Sequence, residues 1–113
     1  MLKHLAAALL ILTLATFAFG QKKEKAPTER SVAGIVTDAS GAPVPGAVVQ
    51  LKNTKTLQVR SFIARDQGDY YFHGLSTDVD YELKAQSNDR MSATKTLSAF
   101  DSHINATIHL QLK

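Results

Sequence analysis

Residues 38–53, DASGAPVPGAVVQLKN, make the chain reverse sharply and then run straight. Pro43 and Pro45 hold φ in a narrow range and donate no backbone hydrogen bond, while Gly41 and Gly46 admit positive φ. Val44-Pro45-Gly46-Ala47 has proline and glycine at the two central positions, which suits a type II turn. Asp38 and Ser40 can tie their side chains back to the local backbone. From Ala47 the pattern has a period of two: Ala47, Val49 and Leu51 fall on one face, and Val48, Gln50 and Lys52 on the other. This is a half-buried strand leaving a rigid turn.

The same reading marks further extended segments. In SVAGIVT, residues 31–37, Val32, Gly34 and Val36 share a face. LQVRSFIA, residues 57–64, carries apolar residues on both faces. DQGD then makes a tight connection, with Asp66 in the turn and Gly68 in the left-handed position of a hairpin. YYFHGL follows at 70–75, and in DYELKAQ Tyr81, Leu83 and Ala85 alternate with Glu82 and Lys84. MSATKTL, residues 91–97, is a weak sixth strand. INATIHLQL, residues 104–112, is the clearest: Ile104, Ala106, Ile108, Leu110 and Leu112 face one way, and Asn105, Thr107, His109 and Gln111 the other. Seven short strands separated by turn clusters predict an all-β antiparallel sandwich.

The N-terminus stands apart. MLKH precedes the fifteen-residue run LAAALLILTLATFAF, which is short for a membrane span, and Ala18 and Gly20 fit the −3 and −1 positions of a cleavage site. Residues 1–20 are expected to be a signal peptide forming a helix, cleaved after Gly20, for a secreted or periplasmic protein with no stable membrane span afterwards. The chain has no cysteine, so neither a lipid anchor nor a disulfide staple is available. Residues 21–30 read as a flexible charged leader and residues 31–113 as one domain.

The basic balance, 13 Lys and Arg against 10 Asp and Glu, is misleading. Residues 31–113 hold eight of each sign, whereas a nucleic-acid binder concentrates positive charge on its folded surface. No nucleic-acid partner is expected.

The residues Gly34, Val36 and Asp38, then Gly41, Pro43, Pro45, Gly46 and Ala47, then Asp66, Gly68, Tyr70, Phe72 and Leu75, then Tyr81 and Leu83, occur in an order that resembles the carboxypeptidase regulatory-like domain family. The resemblance spans nearly all of residues 32–112. It implies a seven-stranded Greek-key sandwich of the transthyretin-like (prealbumin-like, Ig-like) type, with the 38–46 turn as its first hairpin. It also implies a non-catalytic accessory module of the kind attached to peptidases, outer-membrane receptors or surface proteins. Two departures lie in loops: Asp78-Val79-Asp80 stands where the family often has Pro-Gly, and Arg65 where threonine is common.

Chemistry-bearing residues are sparse. None of the four histidines begins a His-x-x-Glu, so the zinc signature of a carboxypeptidase is missing. The chain ends in HLQLK rather than the Tyr-Arg-Gly-Ser of transthyretin-like hydroxyisourate hydrolases, and it has no Gly-x-Ser-x-Gly elbow. No enzyme activity, cofactor or metal is expected. His73 and His109 read as surface residues. If successive strands alternate in direction, one end gathers Asp38, Asp66, Asp69 and Asp89 with Arg65 and Arg90, either as calcium ligands or as turn caps neutralised by arginine. Sandwiches of this type are similar to sugar-binding modules, which makes glycan binding the alternative to a protein or cell-envelope partner. Tyr70, Phe72 and Tyr81 match buried family positions, leaving Tyr71, Phe62 and Phe100 as the candidate ligand surface. Asn105-Ala106-Thr107 spells a glycosylation sequon but falls within a strand. The last strand has an uncharged outward face, so at a sheet edge it would be open to a partner strand; a central position fits the pattern equally well.

Overall fold

The computed structural model describes residues 29–113, so the expected signal at 1–20 and most of the expected leader lie outside the described residues. Nine strands follow in order: β1 (Glu29–Thr37), β2 (Val48–Asn53), β3 (Val59–Ile63), β4 (Asp69–Ser76), β5 (Tyr81–Ser87), β6 (Arg90–Met91), β7 (Lys95–Leu97), β8 (Asn105–Thr107) and β9 (Leu110–Gln111). They form two sheets. The first has the order β4-β1-β8, with β9 also on β1; the second has the order β3-β2-β5-β6, with β7 also on β5. The nine strands correspond to seven segments, because MSATKTL splits into β6 and β7, and INATIHLQL into β8 and β9.

Alternation places the core between the sheets. Val32 and Val36 of β1 meet Tyr70, Phe72 and Leu75 of β4 on one side, and Val49, Leu51, Leu83 and Ala85 come from the other, all essentially closed to water. Leu110 and Leu112 are likewise buried, with His109 and Gln111 outward. Each closed valine or leucine contributes about 2 kcal/mol of transfer free energy, which lets the domain stand without disulfides.

Strand β1 starts two residues before the expected domain boundary. Arg30 is buried and continues the inward row of Val32, Gly34 and Val36, so it belongs to the fold rather than to a flexible leader.

The 38–46 turn is not a hairpin, because β1 and β2 lie in different sheets. It starts as one: Thr37 and Pro43 form a lone bridge, and the Val44 N–H donates to the Val36 carbonyl at 2.9 Å. Pro43 and Pro45 supply no donors to extend that ladder, and Gly46, at φ +82°, redirects the chain to the second sheet. There the Gly46 N–H donates to Ala64 and the Ala64 N–H to Ala47. The DQGD turn also passes between sheets, since β3 and β4 do not pair; Gly68 has φ +75°, and a Cβ on it would lie 2.7 Å from the Val36 carbonyl oxygen.

The pairing is not antiparallel throughout. The chain leaves β7 in the second sheet, crosses through residues 98–104, and arrives beside β1 running in the same direction, so β8 and β9 pair with β1 in parallel. Between β8 and β9 the ladder breaks. The Ile108 carbonyl turns inward and accepts from the buried Tyr70 hydroxyl at 2.5 Å, and only a glycine fits at position 34, where any Cβ would collide with that carbonyl.

Candidate interaction surfaces

The turns expected to share one end do gather. Residues 38–40 with Ser87, Asn88 and Arg90 border a groove of about 410 Å³, and Gly68 packs against Pro43 and Val44; Asp89 does not line that groove. The carboxylates there serve their own loops. The Asp38 side chain accepts from the Ser40 hydroxyl at 2.7 Å and from the Ser40 and Ala42 N–H groups at 2.9 and 3.1 Å. These bonds, led by the hydroxyl, hold its carboxyl below the ordinary range. Asp69 is likewise lowered by the Arg65 guanidinium, 2.6 Å away, which also lies over the Phe62 ring. Among the described residues no three His, Cys, Asp or Glu side chains are grouped to hold a metal ion.

The three candidate aromatics occupy different places. Tyr71 is on the outer face of the first sheet, 43% exposed, with His73 stacked on it at 5.7 Å. Phe62 points between the sheets, half-buried, and meets the Phe72 ring edge-to-face at 6.0 Å. Its expected outward role gives way to apolar packing. Phe100 is 96% exposed in the 98–104 crossing. No aromatic contact among the described residues joins two of these three.

The histidines are equally dispersed. His109 Nδ1 accepts from the Ile35 N–H at 3.1 Å, replacing the ladder partner lost when the Ile108 carbonyl turned inward. This places the neutral ring's proton on Nε2. His103 faces Asp101 at 2.6 Å, and its backbone N–H, then its ring, lower the Asp101 carboxyl pKa.

Arg30 is the residue that sequence reasoning passed over. Its guanidinium donates to the Ser98 carbonyl at 2.9 Å and to the His103 carbonyl at 2.6 Å, bracketing the crossing that displays Phe100, while its Nε has no partner. The inward parity of Arg30 with Val32 was the available signal.

The β8 half of the 104–112 segment is at an edge. Among the described residues β8 pairs with β1 alone. The Ser31 N–H donates to the Ile104 carbonyl and the Ile108 N–H to the Ala33 carbonyl, so residues 104, 106 and 108 turn their backbone groups toward β1. Asn105 and Thr107 therefore direct theirs away, into the open. Their side chains are exposed and uncharged.

Comparison with known proteins agrees with this architecture. The family model for the carboxypeptidase regulatory-like domain matches residues 31–112. No curated protein matches the chain. Among solved structures, the chain is similar to the dioxygenase domain of a dioxygenase–carbohydrate-binding protein fusion from Streptomyces sp. SirexAA-E. The TM-score is 0.55 at 14% identity, over 80% of this chain and 83% of that one. It is also similar to the shaft pilin SpaA of Lactobacillus rhamnosus GG, with TM-score 0.53 and 12% identity over 76% of this chain and 47% of that one. The major pilin subunit BcpA of Bacillus cereus gives 0.54 and 13% over 77% and 31%. At such identities the likeness is one of fold.

Proposed function

The chain belongs to the carboxypeptidase regulatory-like domain family, and from that premise we propose that it is an exported, non-catalytic interaction module acting on a protein or cell-envelope partner. The observation that carries this reading is the family match across nearly the whole described domain. The polar chemistry supports it: Asp38, Asp69 and Asp101 are engaged within their own loops, and the described histidines, His73, His103 and His109, lie on separate segments. Two of the similar folds are a shaft pilin and a major pilin subunit by name, which fits an exported address. The glycan alternative has less support, because Tyr71, Phe62 and Phe100 form no common platform.

Cross-linking the tagged, exported chain in an envelope extract, identifying the captured protein and repeating the binding with both components purified tests the reading. A micromolar or tighter complex is expected. Specific binding on a glycan array with no protein complex would overturn it in favour of sugar recognition. Intact mass of the exported material tests the address, with a start at Gln21 expected and a retained N-terminal apolar segment contradicting it.

A further inference from the structure

Three observations meet on one side of the sandwich. Among the described residues, the edge of β8 offers unpaired backbone groups at Asn105 and Thr107. Alongside its continuation, between β9 and residues 93–95 at the edge of the second sheet, runs an open groove of about 660 Å³. That groove carries Lys95 and Lys113 with His109 and Gln111, and no aspartate or glutamate side chain lines it. One end is tied: Ser92 bridges Leu112, and the Lys113 N–H donates to the Met91 carbonyl at 3.1 Å. Toward β8 no such tie is made among the described residues, so an extended chain entering there meets first a free strand edge and then a cationic trough.

The geometry points to an occupant: an extended acidic peptide segment of a partner protein, pairing by its backbone with the free edge of β8 and setting its carboxylates against Lys95 and Lys113. The inference rests on the interaction-module reading and names the partner's chemistry. Backbone pairing supplies the affinity of strand addition, and alternate side chains supply the choice. The charge term selects acidic over basic sequences and weakens with salt. Lysines also guard edges, because burying their charge opposes pairing by any strand; a guard weakens the binding of both peptides, whereas an acid-selecting trough favours one of them, so the peptide comparison and the charge reversal separate the two roles.

The test is fluorescence polarisation on the exported chain with two labelled peptides of about eight residues, one alternating Glu-Val and one alternating Lys-Val. The Glu-Val peptide is expected to bind at least about tenfold more tightly, and the double variant Lys95→Glu, Lys113→Glu to invert that preference. N-methylation of alternate amides of the Glu-Val peptide, in either register, is expected to abolish binding in one register only, a control independent of protein folding. Thr107→Pro, which removes an outward donor and leaves the β1 ladder intact, is expected to weaken binding by about tenfold. Equal binding of both peptides, binding of neither, or a preference unmoved by charge reversal overturns the inference. Capture of the same envelope protein by wild type and by the Lys95→Glu, Lys113→Glu variant would remove this site while leaving the interaction-module reading standing; absence of any complex with wild type would remove that reading itself.

Discussion

Of the four passages the described chain makes between its sheets, those at residues 38–47 and 98–104 are held by different means. The first is built largely from its own residues, with Gln111 Nε2 donating to the Asp38 carbonyl at 3.1 Å as one distant hold. Asp38 bonds Ser40 and Ala42 within four positions, and Gly46 makes the bend. The second is held from a distance. Arg30, 68 and 73 positions away, grips the Ser98 and His103 carbonyls, and the Asp80 carboxylate accepts the Ala99 N–H at 2.6 Å. A crossing of the first kind can form most of its inner bonds as soon as its own segment bends. One of the second kind forms only once the sandwich has brought its holder into place.

Substitutions at the holders break or sharpen this contrast. Arg30→Ala should have the largest effect, about 2–4 kcal/mol, because two charge-assisted bonds and the buried stem are lost together. Urea denaturation measures it, and Arg30→Lys should restore only part, since one ammonium does not span both carbonyls. An unchanged midpoint for Arg30→Ala would mean that the second crossing also holds itself. Gly46→Val should cost about 1–2 kcal/mol, because a β-branched residue is strained at positive φ. A neutral result would show that the first crossing does not depend on its bend.

The smallest effect concerns the strand that the second crossing delivers. Tyr70→Phe removes the bond to the Ile108 carbonyl and should cost about 1 kcal/mol at neutral pH. Burial raises the Tyr70 pKa, so its contribution is complete below the ordinary tyrosine value of about 10 and falls as pH rises above it. Wild type should therefore lose stability more steeply above about pH 10 than Tyr70→Phe does. Parallel alkaline profiles would mean that the buried hydroxyl is not what seats the strand.

These contrasts also separate what the residues disclosed from what they withheld. The inward rows of Val32 and Val36, and of Leu110 and Leu112, follow from period two alone, as do the bends at Gly46 and Gly68 from turn chemistry. A turn reports that the chain bends and not which sheet receives it, so the 38–46 stretch read as a hairpin and proved a crossing. INATIHLQL alternates without interruption, yet its ladder breaks at Ile108, because the break depends on the empty space at Gly34 and the hydroxyl of Tyr70, both on other strands. Phe62 read as displayed and is half-buried, since its neighbour is Phe72 across the fold. The edge position of β8 was likewise undecidable from alternation, which describes faces and is silent about neighbours.

That open edge is the centre of the functional account, and amide hydrogen exchange read residue by residue tests it most directly. In the free chain the Thr107 amide should exchange rapidly although it lies within a strand, while the Ala106 and Ile108 amides, turned toward β1, exchange slower by more than about tenfold. Adding the acidic extended peptide should slow Thr107 to the level of its neighbours. Thr107 as protected as Ala106 in the free chain, or still fast in the complex, would contradict the account.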